Sequence, residues 1–206
     1  MRRLLKSALD LSIAAVGLVA TAPLVLCAAA AIAVEDFGSP LFVQQRPGRD
    51  GRPFRLVKLR TMRRAASPDG KPLPDRERLL GVGAFLRRTS IDELPQLWNV
   101  LRGELSLVGP RPLLMQYLPR YSPEQARRHE VAPGITGWAQ INGRNTLSWE
   151  EKLRLDVWYV DHWSLRLDLL ILARTVGKVV KGSGVSAQGE ATMPEFMGSD
   201  GADARR

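Results

Sequence analysis

The chain has 206 residues and a mass of 22.8 kDa, enough for one ordinary domain with one appended segment. Charged residues at 25% and apolar residues at 45% exclude a wholly disordered or collagen-like chain, and Lys+Arg 30 against Asp+Glu 21 give a net charge of +9 that suits anionic partners without choosing among them. One cysteine, Cys27, and two distant histidines, His129 and His162, exclude an internal disulfide, a Cys-rich zinc site and an H-x-x-x-H metal motif, which leaves carboxylates as the reactive groups.

Residues 11–34 carry no charge, and such a run is longer than the roughly 20 residues a transmembrane helix needs. Arg2, Arg3 and Lys6 precede it, and Glu35 and Asp36 follow. Three readings compete. A signal peptide has the basic start, with Ala31-Ile32-Ala33 as a cleavage look-alike, but its apolar core of about 7–15 residues is too short, and a large leucine before Cys27 spoils a lipoprotein box. A straight spanning helix fits the length. Pro23, however, kinks or breaks a helix near the middle of the run, with Thr21 to pair with a freed carbonyl. Residues 11–22 reach about 18 Å, half-way through a hydrocarbon core of ~30 Å, so a helix–break–helix that enters and leaves by one face is equally available.

Strands at 42–46 and 54–59 flank Pro47-Gly48-Arg49-Asp50-Gly51, a hairpin turn signalled by Asp-Gly. Residues 65–75 read as a loop, 79–88 as a short helix despite Gly81 and Gly83, and 94–101 as a helix stopped by Gly103. Gly109-Pro110-Arg111-Pro112 is a stiff loop, and residues 133–137 and 142–145 are turns. Ser148 with Glu151 forms a capping box for a helix through about Tyr159. Residues 165–180 form an amphipathic helix, with Leu169, Leu172, Ala173, Val176 and Val180 on one stripe. With Trp149, Trp158, Tyr159 and Trp163 nearby, it either lies in the lipid headgroup plane or packs on a core. Beyond Gly182 the composition is that of a mobile tail.

Chemistry concentrates at Leu86-Arg87-Arg88-Thr89-Ser90-Ile91-Asp92-Glu93-Leu94-Pro95. Pro95 belongs in a first helical turn, which puts the N-cap near Asp92, so the acids serve either to complement a helix dipole or to react. Lys58, Arg60, Arg87, Arg88, Arg102 and Arg111 flank them on turn-bounded elements. Guanidinium forks suit phosphate oxygens, and the prolines on either side of Arg111 lower the cost of placing one. Neighbouring carboxylates project about 100° apart on a helix, a poor match to a glycosidase pair but a good one to a nucleophile with a helper. An aspartate attacking phosphorus gives an acyl-phosphate, and Mg²⁺, which binds one or two carboxylates plus substrate phosphates, relieves the repulsion between anions.

At these residues the chain resembles the monotopic phosphoglycosyl transferases of bacterial glycan assembly, the sugar transferase family. It is most similar to the small members of the bacillosamine-phosphate or N-acetylhexosamine-phosphate transferase type. The resemblance runs from about Lys6 to Met197. It rests on Gln44-Gln45-Arg46-Pro47-Gly48, Lys58-Leu59-Arg60-Thr61-Met62, Thr89-Ser90-Ile91-Asp92-Glu93-Leu94-Pro95 and Trp98-Asn99-Val100-Leu101. Ser106-Leu107-Val108-Gly109-Pro110-Arg111-Pro112 and Pro133-Gly134-Ile135-Thr136-Gly137-Trp138-Ala139-Gln140 complete it.

The resemblance implies transfer of a sugar 1-phosphate from a UDP-sugar to polyprenol phosphate, releasing UMP, as a membrane step that precedes downstream glycosyltransferases. Asp92 matches the nucleophile and Mg²⁺ ligand, and Glu93 its catalytic partner. Lys58, Arg87 and Arg111 match phosphate-site positions, with Arg60 and Pro110 counted beside them, and Asp168 matches another acid of the active-site region. Pro23 matches the break of a re-entrant helix that keeps both chain ends at the cytoplasmic face of the bacterial inner membrane. Two positions depart from the pattern: Ala22 stands where many members have serine, and Leu59 where phenylalanine is common.

The expected fold is therefore α+β, mostly helical and monotopic, with a re-entrant Pro-broken helix, a β-hairpin and amphipathic interfacial helices. It divides into a membrane-embedded helix (1–36), a catalytic domain (37–182) and a flexible tail (183–206). The rival is a membrane-tethered, non-catalytic binder of anionic lipid or nucleic acid. The scatter of basic residues among Gly/Pro turns, with no aromatic-interleaved tract, speaks against nucleic acid as a partner.

Overall fold

The layout is set by a single helix, α1 (Arg2–Glu35), which at 1.5 Å per residue is about 51 Å long. The computed structural model describes residues 2–63, 75–143, 146–181 and 195–198. The expected loop at 65–75 and the turn at Arg144 and Asn145 fall largely outside them, as does most of the tail. The fold is mostly helical with two small sheets, and α1 is long and apolar enough to cross a membrane.

Helical periodicity gives α1 two faces. Lys6, Asp10, Ala14, Gly17, Thr21, Val25, Ala28 and Ile32 recur at three- and four-residue steps and are partly or fully buried against the rest of the chain. Ala14 and Leu18 join the main core of Leu97, Val100, Leu107, Val108, Tyr159 and Ile171, while Ala28 and Ile32 join a second cluster of Leu59, Leu80 and Leu86. The opposite face leaves Leu5, Val16, Val19, Leu26 and Val34 exposed. Helical structure continues from Arg2 to Glu35 with Pro23 inside it, and no break is shown there. The Thr21 hydroxyl donates to Gly17 O at 2.7 Å, bonding back along its own helix.

Strands β1 (Leu41–Pro47) and β2 (Pro53–Leu59) form the expected antiparallel hairpin, paired from Leu41↔Leu59 to Pro47↔Pro53. Its tip is a 3₁₀ turn, Arg49–Gly51, with Asp50 at φ 56° and Gly51 at φ 72°, the left-handed pair that Asp-Gly supplies. A single turn, α2 (Asp75–Arg78), leads to α3 (Gly81–Thr89), and α4 (Gln96–Leu101) follows. Asn99 ties α4 to β2: its amide nitrogen donates to Arg55 O at 2.8 Å and its oxygen accepts from the Val57 N–H at 3.1 Å.

Strand β3 (Ser106–Val108) pairs in parallel with β4 (Gly134–Thr136), where the sequence predicts a turn. Gly109 and Gly134 are what make the pairing close. A Cβ on Gly134 would lie 2.1 Å from Gly109 N, so these glycines serve backbone contact rather than chain reversal. After the short α5 (Pro123–Ala126) and α6 (Trp138–Asn142) come α7 (Trp149–Asp161), which has the Ser148/Glu151 capping box, and α8 (Leu165–Lys181). Helix α8 buries Asp168 and Ile171 and leaves Leu169, Leu170 and Val176 exposed, so most of the predicted apolar stripe faces outward. The tryptophans instead turn inward. Trp138, Trp158 and His162 stack at 4.8 and 4.3 Å, and Trp163 is half-buried.

The segment 195–198, expected as tail, is docked. Phe196 is buried among Tyr117, Tyr121 and Trp149, and the Arg120 guanidinium donates to Glu195 and to the Phe196 carbonyl.

Gly134→Ala should lower thermal stability by about 3 kcal/mol or more, a shift near 10 °C, or abolish folding. Gly177→Ala, where an added methyl meets nothing within 4 Å, should raise stability by about 0.5–1 kcal/mol. Melting curves of the two variants in one detergent give the comparison, and equal shifts would contradict the packing described.

Candidate active site

Asp92 stands on a 3₁₀ turn, Ile91–Glu93, between α3 and α4. Helix α3 ends when Ser90 adopts a left-handed conformation at φ 59°, and this reverses the chain. Pro95 caps α4, as its missing N–H permits. Asp92 therefore precedes the helix instead of capping it, which corrects the expected dipole role. It is 5% exposed, while Glu93 is half-buried beside it.

Cations from three elements surround this turn. Lys58 comes from β2, with its ammonium 5.1 Å above the ring of Phe42, its cross-strand neighbour. Arg87 comes from the last turn of α3 and donates through Nε to Thr61 Oγ1 at 2.9 Å. Arg111 comes from the stiff loop between the buried Pro110 and Pro112, and its fork reaches both oxygens of Glu93, at 2.5 and 3.4 Å. Arg111 is in turn held from behind: Arg128 donates to its carbonyl at 2.7 Å, and Arg128 is buried in an ion pair with Asp156 at 2.7 Å.

The electrostatics follow from this placement. Burial and the neighbouring Glu93 charge push the Asp92 carboxyl up to about 6, and Lys58, Arg111 and Arg87 pull it back. Burial and the Arg111 charge lower Lys58, an effect that Asp92 and Glu93 oppose. Near neutral pH the site is thus an ionised but poorly hydrated carboxylate facing several cations. Among the described residues no three carboxylate, histidine or cysteine groups converge as a metal cage.

Two predicted site residues lie elsewhere. Arg60 is 3% exposed and is engaged by the Asp36 carboxylate and, at 2.6 Å, by the Asp36 carbonyl, so it fastens the end of α1 to β2 and is not free for phosphate. Asp168 accepts from Lys6 Nζ at 2.7 Å, Tyr159 Oη at 2.7 Å and Trp163 Nε1 at 3.0 Å. It joins the start of α1 to α8. Glu35, noted in the sequence only as an acid after the apolar run, caps α3 by accepting from the Gly81 and Val82 N–H groups at 2.7 and 2.9 Å. Arg128 and Asp156 gave no local signal either, because their pairing crosses 28 residues.

A profile of the family described as bacterial sugar transferase matches residues 1–182. The chain belongs to the bacterial sugar transferase family. It is 54% identical over 197 residues to a Bacillus subtilis (strain 168) protein named uncharacterized sugar transferase EpsL, covering 95% of this chain and 97% of that one. It is also similar to two proteins named UDP-glucose:undecaprenyl-phosphate glucose-1-phosphate transferase. That of Caulobacter vibrioides is 44% identical over 83% of this chain and 68% of its own length. That of Escherichia coli (strain K12) is 39% identical over 86% and 40% respectively. This family member is an enzyme of the transferase class.

The raised Asp92 value has a sign in stability. Between the ordinary value of 3.8 and about 6, the folded protein holds a proton that the unfolded chain has released, so this group's contribution falls as pH rises through that window. Asp92→Asn removes the cost. The variant should melt above the parent at pH 7.5 by the equivalent of about 1–3 kcal/mol, with the gap closing as pH falls toward 4. A gap that is absent, or that widens in acid, would contradict the buried, like-charged environment.

Proposed function

We propose that this sugar transferase moves a sugar 1-phosphate from a UDP-sugar to polyprenol phosphate in two covalent steps on Asp92. The single observation that carries the reading is a carboxylate, nine-tenths buried and without a contact cation among the described residues, within a ring of cations drawn from three elements. The names of the Caulobacter and Escherichia relatives describe a reaction of this type and support it.

In the first step an Asp92 oxygen attacks the β-phosphorus of the donor. The bond from that phosphorus to the bridging oxygen breaks, and UMP departs with the electron pair. In the second step a phosphate oxygen of the polyprenol phosphate attacks the same phosphorus, the acyl-phosphate bond breaks, and the Asp92 carboxylate is regenerated. Poor hydration raises the reactivity of the attacking oxygen, and fixed cations stabilise charge on the phosphoryl oxygens without reorganising. Arg111 offers phosphate the N–H groups that Glu93 leaves free, and Glu93 keeps the fork oriented. Asp92, together with the donor's diphosphate, would hold Mg²⁺, which when bound neutralises phosphate charge.

The acceptor is a lipid, and the exposed apolar faces of α1 and α8 suit a bilayer. We read α1 as entering and leaving by the cytoplasmic face of the inner membrane. A polar domain cannot follow a spanning helix through hydrocarbon, yet this one meets its domain from Lys6 to Glu35. Pro23, exposed on the face away from the domain and lacking an N–H, is the natural place for a bend.

Purified protein incubated with UDP-sugar and Mg²⁺ in the absence of acceptor should release about one equivalent of UMP and gain the mass of a phosphosugar at Asp92. Asp92→Asn should do neither, a loss of at least a thousandfold. The rate should fall in acid as Asp92 protonates. Wild-type-like UMP release by Asp92→Asn would overturn the nucleophile, UDP as product would indicate sugar transfer without phosphate, and binding of any polyanion without turnover would favour a non-catalytic tether.

A further inference from the structure

Beside the Glu93–Arg111 pair a cleft of about 270 Å³ opens between α6 and α8, with Leu107, Ile135 and Leu172 among its apolar walls. Gln140 of α6 lines it. The residue is 9% exposed, and neither its amide nitrogen nor its amide oxygen has a hydrogen-bond partner. A buried carboxamide that misses both its bonds is rare in a folded chain, because each unpaired group carries its full desolvation cost. The two atoms offer one donor and one acceptor side by side.

Resting on the UDP-sugar reading above, we propose that this cleft receives the uracil ring of the donor and that Gln140 pairs with its imide edge. Uracil carries an N–H flanked by carbonyls on the same side of the ring, which complements a primary carboxamide, and its flat faces suit the apolar walls. Two other parts of the substrates fit less well. An acetamido group on the sugar is a trans secondary amide whose N–H and C=O point in opposite directions, so one carboxamide cannot meet both. An isoprenoid chain would fill the walls but leave Gln140 unpaired. Arg111 and Glu93 also line the cleft, so a base seated there directs its phosphates toward the neighbouring Asp92.

The test compares UMP with N3-methyl-UMP, which blocks the donor of that edge, as ligands of the full-length protein in detergent. Wild-type protein should prefer UMP at least tenfold. Gln140→Met should bind UMP at least tenfold more weakly, lose the preference between the two nucleotides, and raise KM for the UDP-sugar more than it lowers kcat. Without nucleotide it should melt no lower than the parent, since it removes two unpaired groups. The wild-type comparison needs no variant, so a Gln140→Met protein that misfolds leaves the inference open to refutation.

Equal affinity of wild-type protein for UMP and N3-methyl-UMP would overturn the assignment. So would a Gln140→Met protein that loses discrimination between acetamido and plain hexose donors while keeping its preference for UMP. Any of these beside normal turnover sinks the uracil site alone. Wild-type protein with neither turnover nor uridine-nucleotide binding sinks the functional reading with it.

Discussion

The interaction on which the rest depends is the field of Lys58, Arg87 and Arg111 on the Asp92 carboxylate. Burial and an adjacent glutamate both favour its neutral form, and only these cations keep it ionised near neutral pH. Each of them is held by something other than Asp92: the Phe42 ring under Lys58, Thr61 on Arg87, and Glu93 on Arg111. The cations thus act at a stand-off and leave the Asp92 oxygens unengaged by a contact ion pair among the described residues. Contact pairing would lower the carboxyl further but occupy the lone pairs a nucleophile needs. The cations come from a strand, a helix end and a loop, so their mutual placement requires the hairpin, α3 and the Pro-Arg-Pro segment to be fixed against one another. Asn99, bridging α4 and β2, does part of that.

The same logic extends to the long apolar helix. An exposed hydrophobic face has no directional preference of its own and cannot set how α1 lies on the domain. Direction comes from polar ties at its two ends. Lys6 meets Asp168 and the Val108 carbonyl at the start, while Glu35 meets α3 and Asp36 meets Arg60 at the finish. These partners lie on the elements that carry the site or beside them: Val108 immediately before the loop of Arg111, Arg60 two residues after Lys58, and α3 with Arg87 in its last turn. The seating of the helix and the geometry of the cations are therefore one problem.

Local chemistry was readable where local chemistry decides. Asp50-Gly51 announced the hairpin tip, and the Ser148/Glu151 pair announced α7. The misreadings share a cause. Gly134 looked like a turn because a sequence shows glycine's freedom and hides its lack of a Cβ, and here the missing Cβ lets β3 and β4 approach. Arg60 and Arg111 looked alike as flanking cations. What each of them holds is settled by Asp36 and Glu93, at 24 and 18 residues' distance in the chain. The stripe on α8 was found but not its outward direction, because amphipathic spacing gives a face without saying what it faces. Phe196, in a stretch with the composition of a tail, finds its aromatic pocket only once Tyr117, Tyr121 and Trp149 are assembled.

The Arg128–Asp156 pair shows how far behind the site this arrangement reaches. Removing two opposite charges from water is expensive, and a buried ion pair is often no more stabilising than apolar residues of the same volume, so stability is a poor reason to have one. Apolar side chains in these positions would fill the space but could not donate to the Arg111 carbonyl. The Arg128 guanidinium does so at 2.7 Å while Asp156 balances its charge and the Tyr121 ring lies beside it at 5.7 Å. Pro110 and Pro112 stiffen the loop locally but leave its height above Glu93 unset, because two prolines restrict dihedral angles and not distances to another element. Arg128 supplies that distance. The Arg111 charge acts directly on both Asp92 and Lys58, and such an interaction changes steeply over an ångström in a poorly hydrated site. An ion pair that touches neither Asp92 nor Glu93 is therefore positioned to set how readily Asp92 stays charged.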